Sequence, residues 1–298
     1  MTGGKRYSRT AGVALGAVAA ISYGLNPTFA LPLYSAGLNP DSVCLFRYLL
    51  AVLIVAVMVV CSGFSFLVPR RSILPLAGLG VLMAMSSLTL FVSYNYMATG
   101  IASTILFVYP ILVALIMTIF FRERLTFRVL LCLVCATSGI FLLYHSTGGG
   151  TLSLKGTLIV IASAVVYAVY LVAVNQKRLE GIPSPVVTFY VLVFGSLLFV
   201  GRLVCGVYEL VPPSSPRLWL NAAALALFPT VISLTCTSGA IRRIGSTNTA
   251  ILGALEPVTA VIMGMVFFGE GMTFREACGI LLVLVSVSFV IADRKRPR

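Results

Sequence analysis

The stretch YPILVALIMTIFFRERLTFR at residues 109–128 returns later in the chain as EPVTAVIMGMVFFGEGMTFR at residues 256–275. Aligned without a gap at an offset of 147, the two stretches agree at seven of twenty positions. The identical pairs are Pro110/Pro257, Phe120/Phe267, Phe121/Phe268, Glu123/Glu270, Thr126/Thr273, Phe127/Phe274 and Arg128/Arg275. A second pair of segments aligns at an offset of 144 through Gly12/Gly156 and Tyr23/Tyr167. We therefore expect two related units, residues 1–147 and 148–298, joined at Gly148–Gly149–Gly150.

The composition places both units in a lipid bilayer. Of the 298 residues, 59% are apolar and 10% are charged, whereas soluble domains carry about 25% charged residues. A helix needs roughly 20 apolar residues to cross the hydrocarbon layer. Ten such runs are present, at about 11–33, 41–62, 73–97, 102–121, 128–145, 156–175, 185–204, 218–240, 247–268 and 274–292. The sequence predicts an all-α integral membrane protein of ten transmembrane helices.

The number of spans in each unit fixes how the two units lie in the membrane. Because five is odd, the second unit enters the bilayer from the side opposite to the first. The predicted architecture is thus an inverted repeat of five plus five helices, an arrangement that recurs in transporters working by alternating access. A duplication that serves only the structure is the alternative.

The basic residues indicate the orientation of the chain. With the amino terminus inside, the inner segments carry sixteen of the 21 lysines and arginines and the outer segments carry five. This asymmetry follows the positive-inside rule. The net charge of +13 is therefore a signal of topology, and we expect no nucleic-acid partner. We predict a multi-pass protein of the cell (inner) membrane with both termini in the cytoplasm.

The repeated stretches, each followed by an apolar span, resemble the two EamA repeats of the drug/metabolite transporter superfamily. The segment SGAIRRIGSTNTAIL at 238–252, which leads into Glu256–Pro257, adds to the resemblance. The likeness covers nearly the whole chain in the expected order. It implies ten helices around a central cavity and secondary transport of small metabolites, often the export of amino acids or related compounds. Arg122 and Arg124, on either side of Glu123, depart from the family pattern, in which small or apolar neighbours are commoner.

Polar side chains recur at helical spacing in several spans, as a solute path through lipid requires. In the sixth span, for example, Ser163, Tyr167 and Tyr170 lie on one helix face. Such hydroxyls also join helices to one another, and the pattern leaves that alternative open. The predicted substrate contacts are Tyr23, Asn26, Ser87, Tyr94, Tyr109, Tyr167, Tyr170, Ser233, Thr237 and Glu256.

Glu256 is the most informative of these residues. It lies nine residues into the ninth span, roughly 13 Å deep at 1.5 Å per residue. An acidic residue at that depth costs about 2.5–3.5 kcal/mol on insertion scales, so we expect it to contact substrate or a coupling proton. A neutral glutamic acid bonded to a neighbouring helix is the alternative. Pro257, and Pro110 at the symmetry-related place, are predicted to be hinges because proline frees a backbone carbonyl.

The remaining charged residues receive structural interpretations. Arg47 is expected to extend its charge to the headgroups, with an anion contact inside the cavity as the alternative. Glu123 and Glu270 are expected to be boundary charges at span ends. His145 is the single histidine and cannot form a metal site alone. The sequence indicates no cofactor and no metal.

The predicted function is secondary transport of a small polar or zwitterionic metabolite. A transporter of nucleotide sugars or sugar phosphates is a rival, but phosphates need several lysines or arginines and Arg47 is the only deep one. A membrane-embedded transferase would need a clustered nucleophile, base or metal, so we expect no enzyme. A receptor or assembly factor has no positive support. Gly12-x-x-x-Gly16 permits close helix contact inside one bundle or in a homodimer.

Overall fold

The computed structural model describes residues 8–97, 102, 105–123, 126–143, 153–268 and 274–292, and every regular element within them is a helix. The first half of the sequence forms α1 (Arg9–Gly24), α2 (Asn26–Ser35), α3 (Pro40–Cys61), α4 (Arg70–Ser93), α5 (Tyr109–Phe121) and α6 (Phe127–Leu143). The second half forms α7 (Leu154–Ala173), a short 3-10 helix (Lys177–Leu179), α8 (Ser184–Val204), α9 (Pro216–Ala226), a π-helix (Leu227–Ile232), α10 (Ser233–Leu252), α11 (Leu255–Phe268) and α12 (Phe274–Ala292).

The chain is a multi-pass membrane protein. Six helical runs are long and apolar enough to cross a bilayer: Arg9–Ser35, Pro40–Cys61, Arg70–Ser93, Leu154–Ala173, Ser184–Val204 and Pro216–Leu252. Three shorter apolar helices accompany them: Tyr109–Phe121, Val129–Leu142 and Ala277–Val290. The outer face of α3 carries Leu53, Val57 and Val60, all more than half exposed, where a water-soluble helix would be polar. The predicted count of ten spans stays a prediction.

At three places in the described residues, a break in an apolar run is followed by a helix with a proline in its first turn. The first predicted span, 11–33, is not one helix, because α1 ends at Gly24 and α2 begins at Asn26–Pro27. A turn at Phe107–Val108 precedes Tyr109–Pro110 of α5, and a turn at Gly253–Ala254 precedes Glu256–Pro257 of α11. Proline lacks an N–H and fits the first turn of a helix, where that donor has no partner. The prolines thus start new half-helices inside the apolar runs.

Gly245 makes a sharp kink between two helices. Its φ of 82° and ψ of 167° fall in a region that glycine adopts without strain. The helical run that starts at Pro216 continues through the π-helix to this turn, so it is longer than the predicted span 218–240. Residues 246–252 then form a short half-helix that leads into the interruption at Gly253.

Hydrogen bonds link the loops and helix ends at each of the two ends of the bundle. At the basic end, defined here by residues 62–72, 177–184 and 242–246, Tyr190 donates to the carbonyl of Phe66 and Arg242 donates to the carbonyl of Ile182. At the far end, defined by residues 36–42, 94–97 and 202–215, Arg202 binds Asp41 through two hydrogen bonds of 2.7 and 3.3 Å. The predicted inner segments 66–71 and 242–246 therefore lie at the same end.

The glycine motif of the first span is used inside the bundle. Gly12 faces Arg243 and Ile244, and Gly16 faces Leu252, so closely that a methyl group at either glycine would overlap these side chains. Small residues let helix backbones approach in this way. The homodimer stays a prediction. The predicted unit boundary at residues 147 and 148, the linker Gly148–Gly150, His145 and Glu270 lie outside the described residues.

Candidate functional site

Glu256 lies where the first turns of two half-helices meet. It is in the first turn of α11, directly after the interruption at Gly253–Ala254. The hydroxyl of Tyr109, in the first turn of α5, donates a hydrogen bond to Oε1 of Glu256 over 3.2 Å. Gly253 makes this contact possible, because a side chain there would overlap the Tyr109 hydroxyl. The two residues occupy equivalent places in the repeat, so the duplication brings matching positions together.

Tyrosines from three helices surround the carboxyl group. Tyr109 packs edge-on against Tyr167 with ring centroids 4.9 Å apart. Tyr167 also stacks on Tyr23, at 6.4 Å, and on Tyr170, at 6.0 Å. Tyr23 and Tyr167 are again equivalent positions in the repeat. The charged and aromatic groups named so far thus come from both halves of the chain and form one cluster.

The interruption of the first span packs against the same site. The backbone of Glu256 approaches Gly24 so closely that a methyl group there would also lie 2.7 Å from Cβ of Thr259. Two residues on, Asn26 is 3% exposed, and neither polar atom of its amide has a hydrogen-bond partner. Buried polar groups nearly always have hydrogen-bond partners. The unpartnered C=O and NH2 of this amide are therefore available to bind a ligand.

Two small cavities adjoin Glu256, and a larger one opens at the far end. The central cavity, of about 30 Å³, is bounded by Tyr23, Asn26, Tyr94, Glu256 and apolar side chains that include Leu106 and Phe107. A second, of about 10 Å³, lies among Tyr109, Tyr167, Thr237, Thr249 and Glu256. The far-end vestibule, of about 590 Å³, is lined by Leu31, Tyr34, residues 37–40, Tyr94, Asn95 and Met97. Tyr94 borders both the vestibule and the central cavity, so this side chain separates them.

Arg47 does not reach the headgroups, and the first interpretation of it was wrong. The side chain is 0% exposed and lies about 11 Å along α3 from its far-end start. Its Nε donates to Oγ1 of Thr230 at 2.5 Å and one terminal nitrogen donates to the carbonyl of Pro229 at 3.2 Å. The guanidinium also lies 5.5 Å from the ring centroid of Phe91. The pocket formed by these groups holds the cation inside the bundle.

The π-helix provides the acceptors for Arg47. Pro229 has no N–H and therefore cannot donate the usual helical hydrogen bond to the carbonyl of Leu225, four residues earlier. The hydroxyl of Thr230 donates to that carbonyl at 2.8 Å and at the same time accepts from Arg47. The wider π turn directs the carbonyl of Pro229 toward the guanidinium. Single π turns inside α-helices are frequent at functional sites.

Comparison with known proteins identifies the fold family. Residues 10–145 and 154–292 each match the EamA-like transporter family. The chain belongs to this family. The two matches show that this EamA-like transporter contains two EamA repeats. The predicted unit boundary between residues 147 and 148 stays a prediction.

Relatives of this EamA-like transporter carry transporter names. It is similar to uncharacterized transporter sll1319 of Synechocystis sp., at 29% identity over 74% of this chain and 67% of the relative. It is also similar to uncharacterized transporter YyaM of Bacillus subtilis, at 25% identity over 87% of each chain. A solved crystal structure matches with a TM-score of 0.79 over 95% of this chain and 96% of that one. At 20% identity, this last match shows the likeness of fold.

The structure separates the predicted site residues of this EamA-like transporter into two sets. Seven border the cavities beside Glu256: Tyr23, Asn26, Tyr94, Tyr109, Tyr167, Thr237 and Glu256 itself. Three border none of the cavities described above: Ser87, Tyr170 and Ser233. Ser87 shares a 3.0 Å hydrogen bond with the hydroxyl of Tyr48, which is the helix-joining role left open by the sequence. Tyr170 backs the cluster through its stacking on Tyr167.

Two residues at the site were missed. Thr249 borders the smaller cavity and bonds back to the carbonyl of Gly245 at 2.7 Å. Gly24 gives the close approach to Glu256. A signal for Gly24 was present, since Gly24–Leu25–Asn26–Pro27 combines a glycine with a proline that starts a helix. No comparable signal marked Thr249, because its neighbourhood depends on the turn at Gly245.

Proposed function

We propose that the protein is a secondary transporter that carries a small polar or zwitterionic metabolite through the site at Glu256. The observation that supports this most directly is the cavity beside Glu256, in which the amide of buried Asn26 has no partner. Broken helices whose half-helix ends face a central site are the usual place where transporters bind substrate and coupling ions. The site offers a carboxyl group, an amide and phenols, which suit ammonium and hydroxyl groups.

The proposal includes alternating access across an inverted repeat of ten spans. The far-end vestibule is the open side in this conformation, and the tight contact of Gly12 and Gly16 with α10 closes the opposite side. Pro110 and Pro257 act as hinges, because each begins a half-helix immediately after an interruption. Movement about these points would open the basic end as the far end closes.

We assign the basic end to the cytoplasm of a cell (inner) membrane, with both termini on that side. Transport then runs between the cytoplasm and the far-end vestibule, and export of amino acids or related compounds is our expected direction. Among the residues whose side chains are described, Arg47 is the only buried lysine or arginine. A single buried cation is too few for a nucleotide sugar or sugar phosphate, which disfavours that rival.

The test is a solute-efflux screen in cells that overproduce the protein, with Glu256→Gln as the comparison. Glutamine keeps the size and can still accept from Tyr109, but it cannot ionise. We expect wild-type cells to release one class of zwitterionic solute and the variant to lose most of that release at equal membrane abundance. Ser35→Ala is the matched control, because Ser35 bonds only to the carbonyl of Leu31 at an exposed position. Equal release by wild type and Glu256→Gln would refute the role of Glu256.

The same assay tests a proton role when external pH is varied. The titratable groups facing Glu256 are the phenols of Tyr109, Tyr167 and Tyr23. If Glu256 carries the coupling proton, wild-type transport depends on the pH gradient and the glutamine variant loses that dependence. A pH profile unchanged by the substitution would remove the proton role and leave the substrate contact to be judged by the efflux rate alone.

A further inference from the structure

We infer that Arg47 binds the carboxylate of the transported solute and so determines its chemical class. This inference rests on the proposed function. It adds a cationic pole, Arg47, to the acidic pole formed by Glu256. The solute it implies carries a cationic group, held beside Glu256 and Asn26, and a carboxylate, held by Arg47. Tyr23 lies between the two poles.

The first step is that Arg47 has no counter-charge in the described part of the chain. Its polar neighbours, the hydroxyls of Thr230 and Tyr23 and the carbonyl of Pro229, are all neutral. Its remaining terminal nitrogen is buried and has no hydrogen-bond partner. No described carboxylate lies within ion-pair distance of it, whereas the half-exposed Arg202 has Asp41. A buried ionised group is costly unless it is paired.

The second step is that the fold supports this cation in a way that leaves one side of it free. The π-helix supplies acceptors to Nε and to one terminal nitrogen of Arg47, and the guanidinium lies over the ring of Phe91. A guanidinium donates in a planar fork that matches a carboxylate. Neutral acceptors fix its position and do not neutralise its charge, so it keeps its attraction for an anion.

The third step is access from the cavities. Tyr23 lines the central cavity and lies beside the Arg47 side chain. Phe91, on which Arg47 rests, packs against Tyr94 at 5.5 Å and against Tyr34 at 6.1 Å, and both tyrosines line the far-end vestibule. Arg47 thus lies directly behind the aromatic wall of the path. Tyr23 is two residues from the interruption at Leu25, so a bend at that point would move this side chain and open the guanidinium to the central cavity.

The two poles distinguish solutes by charge. Tyr23 lines the central cavity together with Glu256 and also lies beside Arg47. An α-amino acid carries an ammonium and a carboxylate on the same carbon and can bind to both poles. A simple amine has no carboxylate and would leave Arg47 without a counter-charge. A phosphate with two or more negative charges would need more cations than Arg47 alone provides.

The experiment uses purified full-length protein in liposomes loaded with the radiolabelled L-amino acid that gives the largest efflux in the screen. Unlabelled competitors are that amino acid and its carboxamide, which has the same shape and lacks the negative charge. For wild type we expect the acid to compete about tenfold or more better than the amide, as charged hydrogen bonds contribute. In Arg47→Gln the two competitors should become equal. In Arg47→Lys, which keeps the charge but loses the fork, the preference should fall several-fold.

Tyr48→Phe is the matched control, because Tyr48 is a fully buried neighbour on α3 whose hydroxyl bonds only Ser87. It removes a buried hydrogen bond, so a purely structural effect of the Arg47 variants would be shared by it. A folded Arg47 variant that keeps the wild-type preference for acid over amide would overturn the inference. If wild-type liposomes moved no solute at all, the proposed function itself would fail, which is a separate outcome.

Discussion

Replacing Gly24 by alanine should push the first span away from the helix that carries Glu256. The added methyl carbon would lie 2.7 Å from Cβ of Thr259 and would also overlap the carbonyl oxygen of Glu256. Carbon atoms pack best at about 3.5–4.0 Å, so the two helices must part by about 1 Å. The obstructing carbonyl belongs to the backbone and cannot rotate away as a flexible side chain would.

The expected size of the effect follows from this displacement. Forcing an extra methylene into a packed interior costs typically about 1–3 kcal/mol. The midpoint of thermal unfolding in detergent should then fall by several degrees, at about 2–4 °C per kcal/mol for chains of somewhat smaller size. Transport should fall more than tenfold, because a displacement of about 1 Å at a positioned site can cost about 100-fold in rate.

Gly78→Ala is the control for this experiment. Gly78 lies within α4 and a methyl group there meets nothing within 4 Å. Alanine is also a better helix former than glycine by about 1 kcal/mol, so this variant should be at least as stable as wild type and should transport normally. Both variants are measured by thermal unfolding and by efflux. If Gly24→Ala matched Gly78→Ala in both, the close packing of the first interruption on Glu256 would be wrong.

Three further outcomes are expected. Gly253→Ala should displace the Tyr109 phenol and break its 3.2 Å hydrogen bond to Glu256, so efflux should fall as far as it does in a Tyr109→Phe variant; normal efflux in the alanine variant would contradict the contact. Asp41→Asn should cost no more than about 1 kcal/mol in thermal stability, since the pair with Arg202 is partly exposed, and a large loss would show a buried role. Single cysteines introduced in 66–71 and in 242–246 should be labelled from the same side of the membrane, and labelling from opposite sides would refute the topology.

Much of the site could be predicted from two properties of the sequence. The repeat indicated that Tyr109 and Glu256 occupy equivalent positions, and helical spacing marked Tyr23 and Tyr167. Depth in an apolar span indicated that Glu256 needs a partner, and the hydroxyl of Tyr109 is that partner. These inferences depend on the composition of one helix and on internal similarity, both of which are visible in a single sequence.

The residues that were missed or given the wrong role depend on contacts between distant segments. Arg47 was expected to reach the headgroups because it lies near the start of its span. Its acceptors come from a π turn 182 and 183 residues away, which no local pattern encodes. Ser87 has suitable spacing for a path, but Tyr48 on a neighbouring helix takes its hydroxyl. Gly24, at the first interruption, was marked in the sequence only by the nearby Pro27, and its contact with Glu256 was not predicted.

The most direct test of the central claim is protection of the central cavity by substrate. In a chain whose seven native cysteines are replaced, Leu106→Cys introduces one thiol in the cavity beside Glu256 and leaves its polar side chains in place. We predict that a small thiol reagent modifies it more slowly, by several-fold, when saturating transported solute is present. A control cysteine at exposed Leu67 should react at the same rate with and without solute. Equal reaction rates at position 106 with and without solute would contradict binding in this cavity, even if the protein transports.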